Sequence, residues 1–534
     1  MMKKIFPGIL LLFLAPAVSV TAQQGDPLQA GDNLAVTATE SGKVKGYLHN
    51  GIFTFKGIPY AKAERFLAPQ KPEPWTGVRS SMTYGPVCPT DATTTVNDVF
   101  EFAFNHNWGY TNENCQTLNV WTQQLNDGKK RPVMLWLHGG GFTAGSSIEL
   151  PSYDGENLAK KGDVVLVSIN HRLNVLGFLD LSAYGDKYKA SSNAGLLDIQ
   201  MALQWIRQNI AQFGGDPGNV TIFGQSGGGG KVTSLMNAPL AKGLFHKAIV
   251  QSGSYITGGF AEKSSKQKVA AALLAELGLN ASQVDSLQRL PYEVLYSAAK
   301  KASRKVSAEL VKEGKPGVGW GPGIDDYLPD QPSTAKAQEL AKNIPLLVGS
   351  TKNEATPFAP ANPNITMEEV KANLQKKYGD KTDAYMAAVK TAYPAASQPA
   401  GYTDIDFNFR SFAIKHGNTK AVPGAAPVYM YLFTWQSPAN GGIYKSMHCM
   451  DLAFQFDNID RCQEMTGGGK QAKELAAKMS SAWINFARTG NPNAKGLPQW
   501  PAYTRENGTT MIFDNQCEIR HNPDLELMKI AGSL

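Results

Sequence analysis

Gly224-Gln225-Ser226-Gly227-Gly228 follows the apolar run Val220–Phe223 and precedes a segment, Gly229–Met236, that can form a helix. A nucleophilic serine needs this arrangement, because a sharp strand-to-helix turn projects its Oγ and small flanking residues let the strained backbone pass. The pattern alone is weak, so the residues around it must decide. A glycine-rich phosphate cradle is the competing reading. Against it, Lys231 is followed by Val232 where a Walker A loop requires Ser or Thr, and no Gly-x-Gly-x-x-Gly spacing occurs.

A serine so placed also needs donors for the negative oxygen that its attack creates. His138-Gly139-Gly140-Gly141-Phe142 leaves the strand-like run Val133–Leu137, and three glycines there let bare N–H groups point at one spot. Gly140 and Gly141 are the candidate oxyanion donors, with the N–H of Gly227 as a third. His138 reads as structural. In the order nucleophile, acid, base, the general base lies downstream of Ser226, which leaves His246, His416, His448 and His521. His246 sits in a short connection and His521 in a polar tail, whereas His448 can end a loop and begin a helix that fixes its ring. An orienting carboxylate beyond the carboxyl end of a buried strand is offered by Glu354, after Ile344–Val348. Asp325, in a Gly/Pro-rich turn with no strand before it, is the competitor. No His-Glu-x-x-His and no cysteine pair at zinc spacing appears, so no metal or cofactor is expected.

These groups must be carried by elements. Near-continuous apolar runs at Val133–Leu137, Val164–Ile169, Val220–Phe223, Ala248–Val250, Ile344–Val348 and Val428–Phe433 alternate with helical patterns at Leu196–Phe213 and Glu474–Arg488. Such runs suit parallel strands covered on both faces, so the fold class is α/β, a large mostly parallel sheet with helices on both sides. The charged, helix-rich stretch Glu262–Asn343 reads as an insertion capping one end of that sheet. With 42% hydrophobic and only 18% charged residues in 534, disordered and fibrous classes are excluded. The net charge of +7 is scattered, which gives no footprint for nucleic acid.

Lys3 and Lys4 precede an apolar run from Ile5 to about Val20, and Val20-Thr21-Ala22 offers small residues to a signal peptidase. Residues 1–22 therefore read as a cleaved secretory signal, residues 23–534 as a single domain, and the mature protein as secreted or periplasmic without a stable membrane anchor. An uncleaved anchor is the competing reading, but Pro7 and Pro16 interrupt a run already short for a span of about 20 residues. Five cysteines permit disulfides in an oxidising compartment without making a disulfide scaffold. Oligomeric state has no signal.

Taken together these residues resemble the type-B carboxylesterase family of α/β-hydrolases, relatives of the cholinesterases and of bacterial para-nitrobenzyl esterases. The resemblance runs from about Gly46 to Phe513. It is carried further by Phe55-Lys56-Gly57-Ile58-Pro59-Tyr60-Ala61, Glu113-Asn114-Cys115, Leu118-Asn119-Val120, Asn170-His171-Arg172-Leu173, Gly243-Leu244-Phe245, Gln251-Ser252-Gly253 and Trp500-Pro501-Ala502-Tyr503. It implies an α/β-hydrolase fold with helical insertions over the site, and a triad of Ser226, Glu354 and His448. It also implies an oxyanion hole from Gly140, Gly141 and Gly227, a Cys88–Cys115 disulfide, and Trp108 near the mouth of a substrate gorge. The activity implied is hydrolysis of a small-molecule carboxylic ester through an acyl-enzyme. The family's usual Gly-Glu-Ser-Ala-Gly is here Gly-Gln-Ser-Gly-Gly, so Gln225 stands beside the nucleophile without a carboxylate's pull on cations. A member that has lost catalysis and serves in binding or adhesion is the other reading; such members lack a triad residue, and none is missing here.

Overall fold

The computed structural model describes residues 27–90, 96–254, 259–360, 362, 364–394 and 398–534. The signal-peptide reading of residues 1–22 lies outside them. Among the described residues eleven strands form the main sheet: β1 (Tyr47–His49), β2 (Ile52–Pro59), β3 (Thr117–Thr122), β4 (Arg131–Leu137), β5 (Val165–Ile169), β6 (Gly215–Gln225), β7 (Lys247–Gln251), β8 (Leu346–Thr351), β9 (Val428–Phe433), β10 (Thr509–Phe513) and β11 (Glu518–His521). Their spatial order is 1-2-3-5-4-6-7-8-9-10-11, parallel from β5 to β10 and antiparallel at both ends. A small second sheet joins Val36–Thr39, Gly42–Lys45 and Val78–Ser80.

The two-sided cover follows from the period of two along each strand. Val133, Leu135 and Leu137 of β4 join Val220 and Ile222 of β6 on one face, where Leu196, Ile199, Leu203 and Ile206 of helix α1 (Ala194–Asn209) cover them. Met134, Trp136 and Phe223 point to the other face. There Leu475, Met479, Trp483 and Phe486, from the helix Lys470–Thr489, pack over them with Phe456. Each fully buried side chain of this size contributes about 1.5–3 kcal/mol, so both helical stripes are core, as their spacing implies.

The strand expected at Ile344–Val348 runs instead from Leu346 to Thr351, because parallel pairing with β9 continues through Gly349, Ser350 and Thr351. That shift brings the strand end to within three residues of Glu354. The insertion consists chiefly of helices Lys263–Glu276 and Tyr292–Lys312, which bury Leu273, Leu295 and Ala299 against Leu173, Leu176 and Leu181. Among the described residues no helix is long and apolar enough to cross a membrane.

Candidate active site

β6 is paired in parallel on both sides, Leu137 of β4 opposite Gly224 and Gln251 of β7 opposite Gln225. Ser226 follows at once with φ 54° and ψ −124°, its N–H held by the Gln251 carbonyl at 2.8 Å, and helix α2 (Gly227–Met236) begins at the next residue. A non-glycine residue in that conformation costs about 1–3 kcal/mol, which the buried strands on either side sustain. The turn thus fixes Ser226 at the carboxyl edge of the sheet. A Cβ on Gly227 would collide with the backbone of Gly141. The alanine usual at this position therefore cannot enter unless the glycine loop withdraws, which gives the departure a physical reason.

That loop leaves β4 and folds back on itself, the Gly140 carbonyl accepting from the N–H groups of Thr143 (3.3 Å) and Ala144 (3.0 Å). Gly140 has φ 78°, and a Cβ on it would strike the Ala144 carbonyl, so only glycine serves there. Among the described residues no hydrogen bond claims the N–H of Gly140 or Gly141, and Gly227 opens its helix with an N–H that has no intrahelical partner. His138 is buried, with Nδ1 3.0 Å from the Gly139 carbonyl and its ring stacked on that of His171 at 5.1 Å. Burial pushes its imidazole well below the usual range, in keeping with a structural part.

His448 Nδ1 is hydrogen-bonded to Glu354 Oε2, in a buried pair. The other carboxylate oxygen, Oε1, accepts from Ser252 Oγ at 2.6 Å and from the Thr351 N–H at 2.7 Å. Phe409 and Phe358 flank the imidazole, ring centroids 5.2 and 5.7 Å away. His448, Ser226, Gly139, Gly140 and Gly141 share one cavity wall. The competing residues are elsewhere and occupied. His246 Nδ1 accepts from the Val220 N–H, His416 meets Ser254 Oγ, His521 lies on the edge strand β11, and Asp325 closes its own turn by accepting from Tyr327 and Leu328.

The Gln225 side chain lies against His448, its Nε2 3.1 Å from the ring Nε2, while its Oε1 accepts weakly from Cys449 Sγ at 3.4 Å. Gln225 is thus a neighbour of the base as well as of the nucleophile. Phe104, His106, Glu149, Leu150, Tyr153 and Phe358 supply most of the remaining wall. Trp108 is not part of it. The indole stacks on the outer side of His106 at 4.4 Å and is exposed, so it reaches the cavity only through that ring. Sequence reasoning assigned no part to Ser252, Phe358, Cys449, Asp406 or Asp451. Burial, with the Glu354 carboxylate nearby, pushes Asp406 up to about 7, and burial pushes Asp451 up to about 6. Asp451 stands three residues beyond His448 on a helical turn, a spacing that marks it; Ser252 stands within Gln251-Ser252-Gly253, which carries no signal of what it touches.

Cys88 and Cys115 are buried neighbours, the Cys115 thiol pushed well up by burial and by Cys88 beside it. Both stand as thiols in the structure, with Cys88 Sγ accepting from the Leu173 N–H, so the expected link between them is not shown.

The sequence profile of the Carboxylesterase family matches residues 33–530. The chain belongs to this family. It is 36% identical over 499 residues to the para-nitrobenzyl esterase of Bacillus subtilis (strain 168), covering 92% of this chain and 97% of that one. It is 31% identical to the phenmedipham hydrolase of Pseudarthrobacter oxydans, covering 90% and 95%. A solved structure of an esterase from Clostridium hathewayi, which hydrolyses aliphatic aromatic polyesters, superimposes with a TM-score of 0.85 at 38% identity, covering 95% of this chain and 100% of the other. The fold is that of the α/β-hydrolases, and the carboxylesterase is a carboxylic ester hydrolase; the binding-protein reading has no observation in its favour.

Proposed function

We propose that the esterase acts through Ser226 as nucleophile, His448 as general base and then acid, and Glu354 as the group that orients the imidazole. The observation that carries this is the buried hydrogen bond between His448 Nδ1 and Glu354, with the same ring facing the cavity that holds Ser226. Glu354 keeps the Nδ1 proton in place, which leaves Nε2 free to accept the serine proton. The Gln225 amide nitrogen lies against the ring, 3.3 Å from Nδ1 and 3.1 Å from Nε2, so it claims neither nitrogen alone and gives way to the serine hydroxyl as substrate enters. Gly140, Gly141 and Gly227 offer N–H groups to the tetrahedral oxyanion. A fluorophosphonate should label Ser226 alone in a peptide map of the exported protein. The same map without reductant should return Cys88 joined to Cys115, a link favoured by their adjacency and by the secretory leader at residues 1–22. Label on another serine, or both cysteines recovered as thiols, counts against the corresponding half of the proposal.

The substrate class follows from the wall. Phe104, Leu150, Tyr153 and Phe358 favour a neutral ester with an aromatic or hydrophobic group, since burying such a group contributes about 25 cal/mol per Å². Two relatives, a para-nitrobenzyl esterase and an esterase of aliphatic aromatic polyesters, support the same class. The carboxylate in this wall, Glu149, is already held by the Ser146 N–H and faces His106 at 3.7 Å, and Gln225 carries no charge. Beyond that one carboxylate, only aromatic faces are left to draw a quaternary ammonium. In a kcat/KM panel of p-nitrophenyl, benzyl and choline esters of graded acyl length, the neutral aromatic esters should lead. A preference of about tenfold for the choline ester, about 1.4 kcal/mol, would overturn this assignment.

A further inference from the structure

Lys231 has no part in the reaction as proposed above, yet it sits beneath it. It is carried by α2, the helix that opens just after the nucleophile, and its side chain has no exposed surface. Its Nζ donates to the carbonyl oxygen of His138 at 2.8 Å and lies 3.4 Å from that of Gly139. The Phe142 ring is 5.9 Å away. The lysine therefore ties down the two residues from which the glycine loop departs.

Such a residue is expensive. A charge removed from water must be hydrogen-bonded or paired, and an apolar side chain of similar volume would fill the same space at less cost. Burial pushes the Lys231 ammonium down to about 7, while the Glu149 carboxylate and Cys88 act in the opposite direction. His138 and His171 also face it, and the lysine's charge helps, after burial, to hold both imidazoles low. Neither histidine competes for the proton, so the cationic form of the cluster resides on Lys231.

We propose that Lys231 is a positioning residue of the oxyanion hole, which clamps the His138 and Gly139 carbonyls and polarises the Gly139–Gly140 peptide so that the Gly140 N–H becomes a stronger donor. The Gly139 carbonyl and the Gly140 N–H belong to one peptide group. A cationic donor on the oxygen draws electron density from the nitrogen, and hydrogen bonds arranged in such a chain strengthen one another. The shorter bond, to His138, restrains the peptide before it and keeps the loop from turning its N–H groups away. The effect is felt most when the negative oxygen forms, so it belongs to the transition state and not to substrate binding.

The inference rests on the reading of Gly140 as an oxyanion donor, and the test separates the two. Lys231→Met keeps the stem and removes the cation; Lys231→Gln keeps a neutral donor on a shorter stem. Rates are taken per site titrated with a fluorophosphonate at pH 6.5, below the value to which burial pushes the ammonium. Lys231→Met should lower kcat by about 10- to 100-fold with KM changed less than threefold, and should weaken a trifluoromethyl ketone, whose adduct carries the oxyanion, by a matching factor. Lys231→Gln should fall between it and the wild type. A lysine that only supported the fold would lower the melting temperature and the number of titratable sites, leaving kcat per site and ketone affinity alone. A folded Lys231→Met variant with kcat per site and ketone affinity within twofold of wild type, or a Lys231→Gln variant worse than Lys231→Met, overturns the proposal. Gly140→Ala is the control: if it weakens the ketone while Lys231→Met does not, the oxyanion hole stands and the lysine's role falls. If Gly140→Ala also leaves ketone affinity unchanged, the reading of Gly140 is itself wrong.

Discussion

Ser226→Ala is expected to lower kcat by about five to six orders of magnitude while leaving the melting temperature within a few degrees of wild type. The size follows from the loss of the covalent route: without Oγ there is no acyl-enzyme, and what remains is the donors of the glycine loop acting on a water attack, worth about 10³–10⁴ over the uncatalysed reaction. The intact fold follows from what the side chain does not hold. Among the described residues no hydrogen bond engages Ser226 Oγ, whereas the backbone ties that set the turn, its N–H to Gln251 and its carbonyl to the Gly230 N–H, survive in alanine. Alanine at φ 54° is strained much as serine is, so the turn gains nothing by the change. Adding His448→Ala to Ser226→Ala should cost almost nothing further, because groups that act as a unit are not additive. A folded Ser226→Ala protein with activity within tenfold of wild type, measured with inhibitor controls for contaminating esterase, would refute the nucleophile.

The catalytic elements were legible because their sequence signals are local and their chemistry is demanding. The glycine-flanked serine after Val220–Phe223 and the glycine run after β4 each state their backbone geometry in the residues themselves, and both turns formed where the spacing places them. The central strands were equally plain, since covering both faces demands uninterrupted apolar runs. What could not be read is what only pairing creates. β1 to β3 are mixed in character and antiparallel, and β8 extends through Gly349 and Ser350 because β9 lies alongside. Ser252 reaches Glu354 across a separation of about a hundred residues, and Trp108 is displaced from the cavity by His106, which shares its segment. Neither fact has a trace in composition or periodicity. In the sequence Lys231 reads only as a failed phosphate ligand, since a lysine beside glycines gives no hint that the carbonyls of another loop lie against it.

Glu354→Gln should lower kcat by about four orders of magnitude, with KM little changed and the fold intact, and the reason is the direction of one hydrogen bond. Glu354 Oε1 accepts from the Thr351 N–H, a backbone donor that cannot reverse, as well as from Ser252 Oγ. A glutamine must therefore keep its carbonyl oxygen on that side and turn its NH₂ toward His448 Nδ1. Facing a donor, Nδ1 gives up its proton and becomes the acceptor, which places the ring hydrogen on Nε2. That tautomer cannot accept from Ser226. It also offers no countercharge to the imidazolium that forms as the serine attacks. The substitution thus removes little volume and keeps both outer hydrogen bonds, yet sets the base in the wrong state. Substrate binding, which involves the apolar wall and not Nδ1, is untouched. The rate of fluorophosphonate labelling at Ser226 should fall along with kcat, because both require the serine to be deprotonated by the same nitrogen. A folded Glu354→Gln enzyme that keeps kcat within about tenfold of wild type would show that the imidazole is oriented by another group, and Asp451, the buried carboxyl that feels the His448 imidazole, would be the residue to replace next.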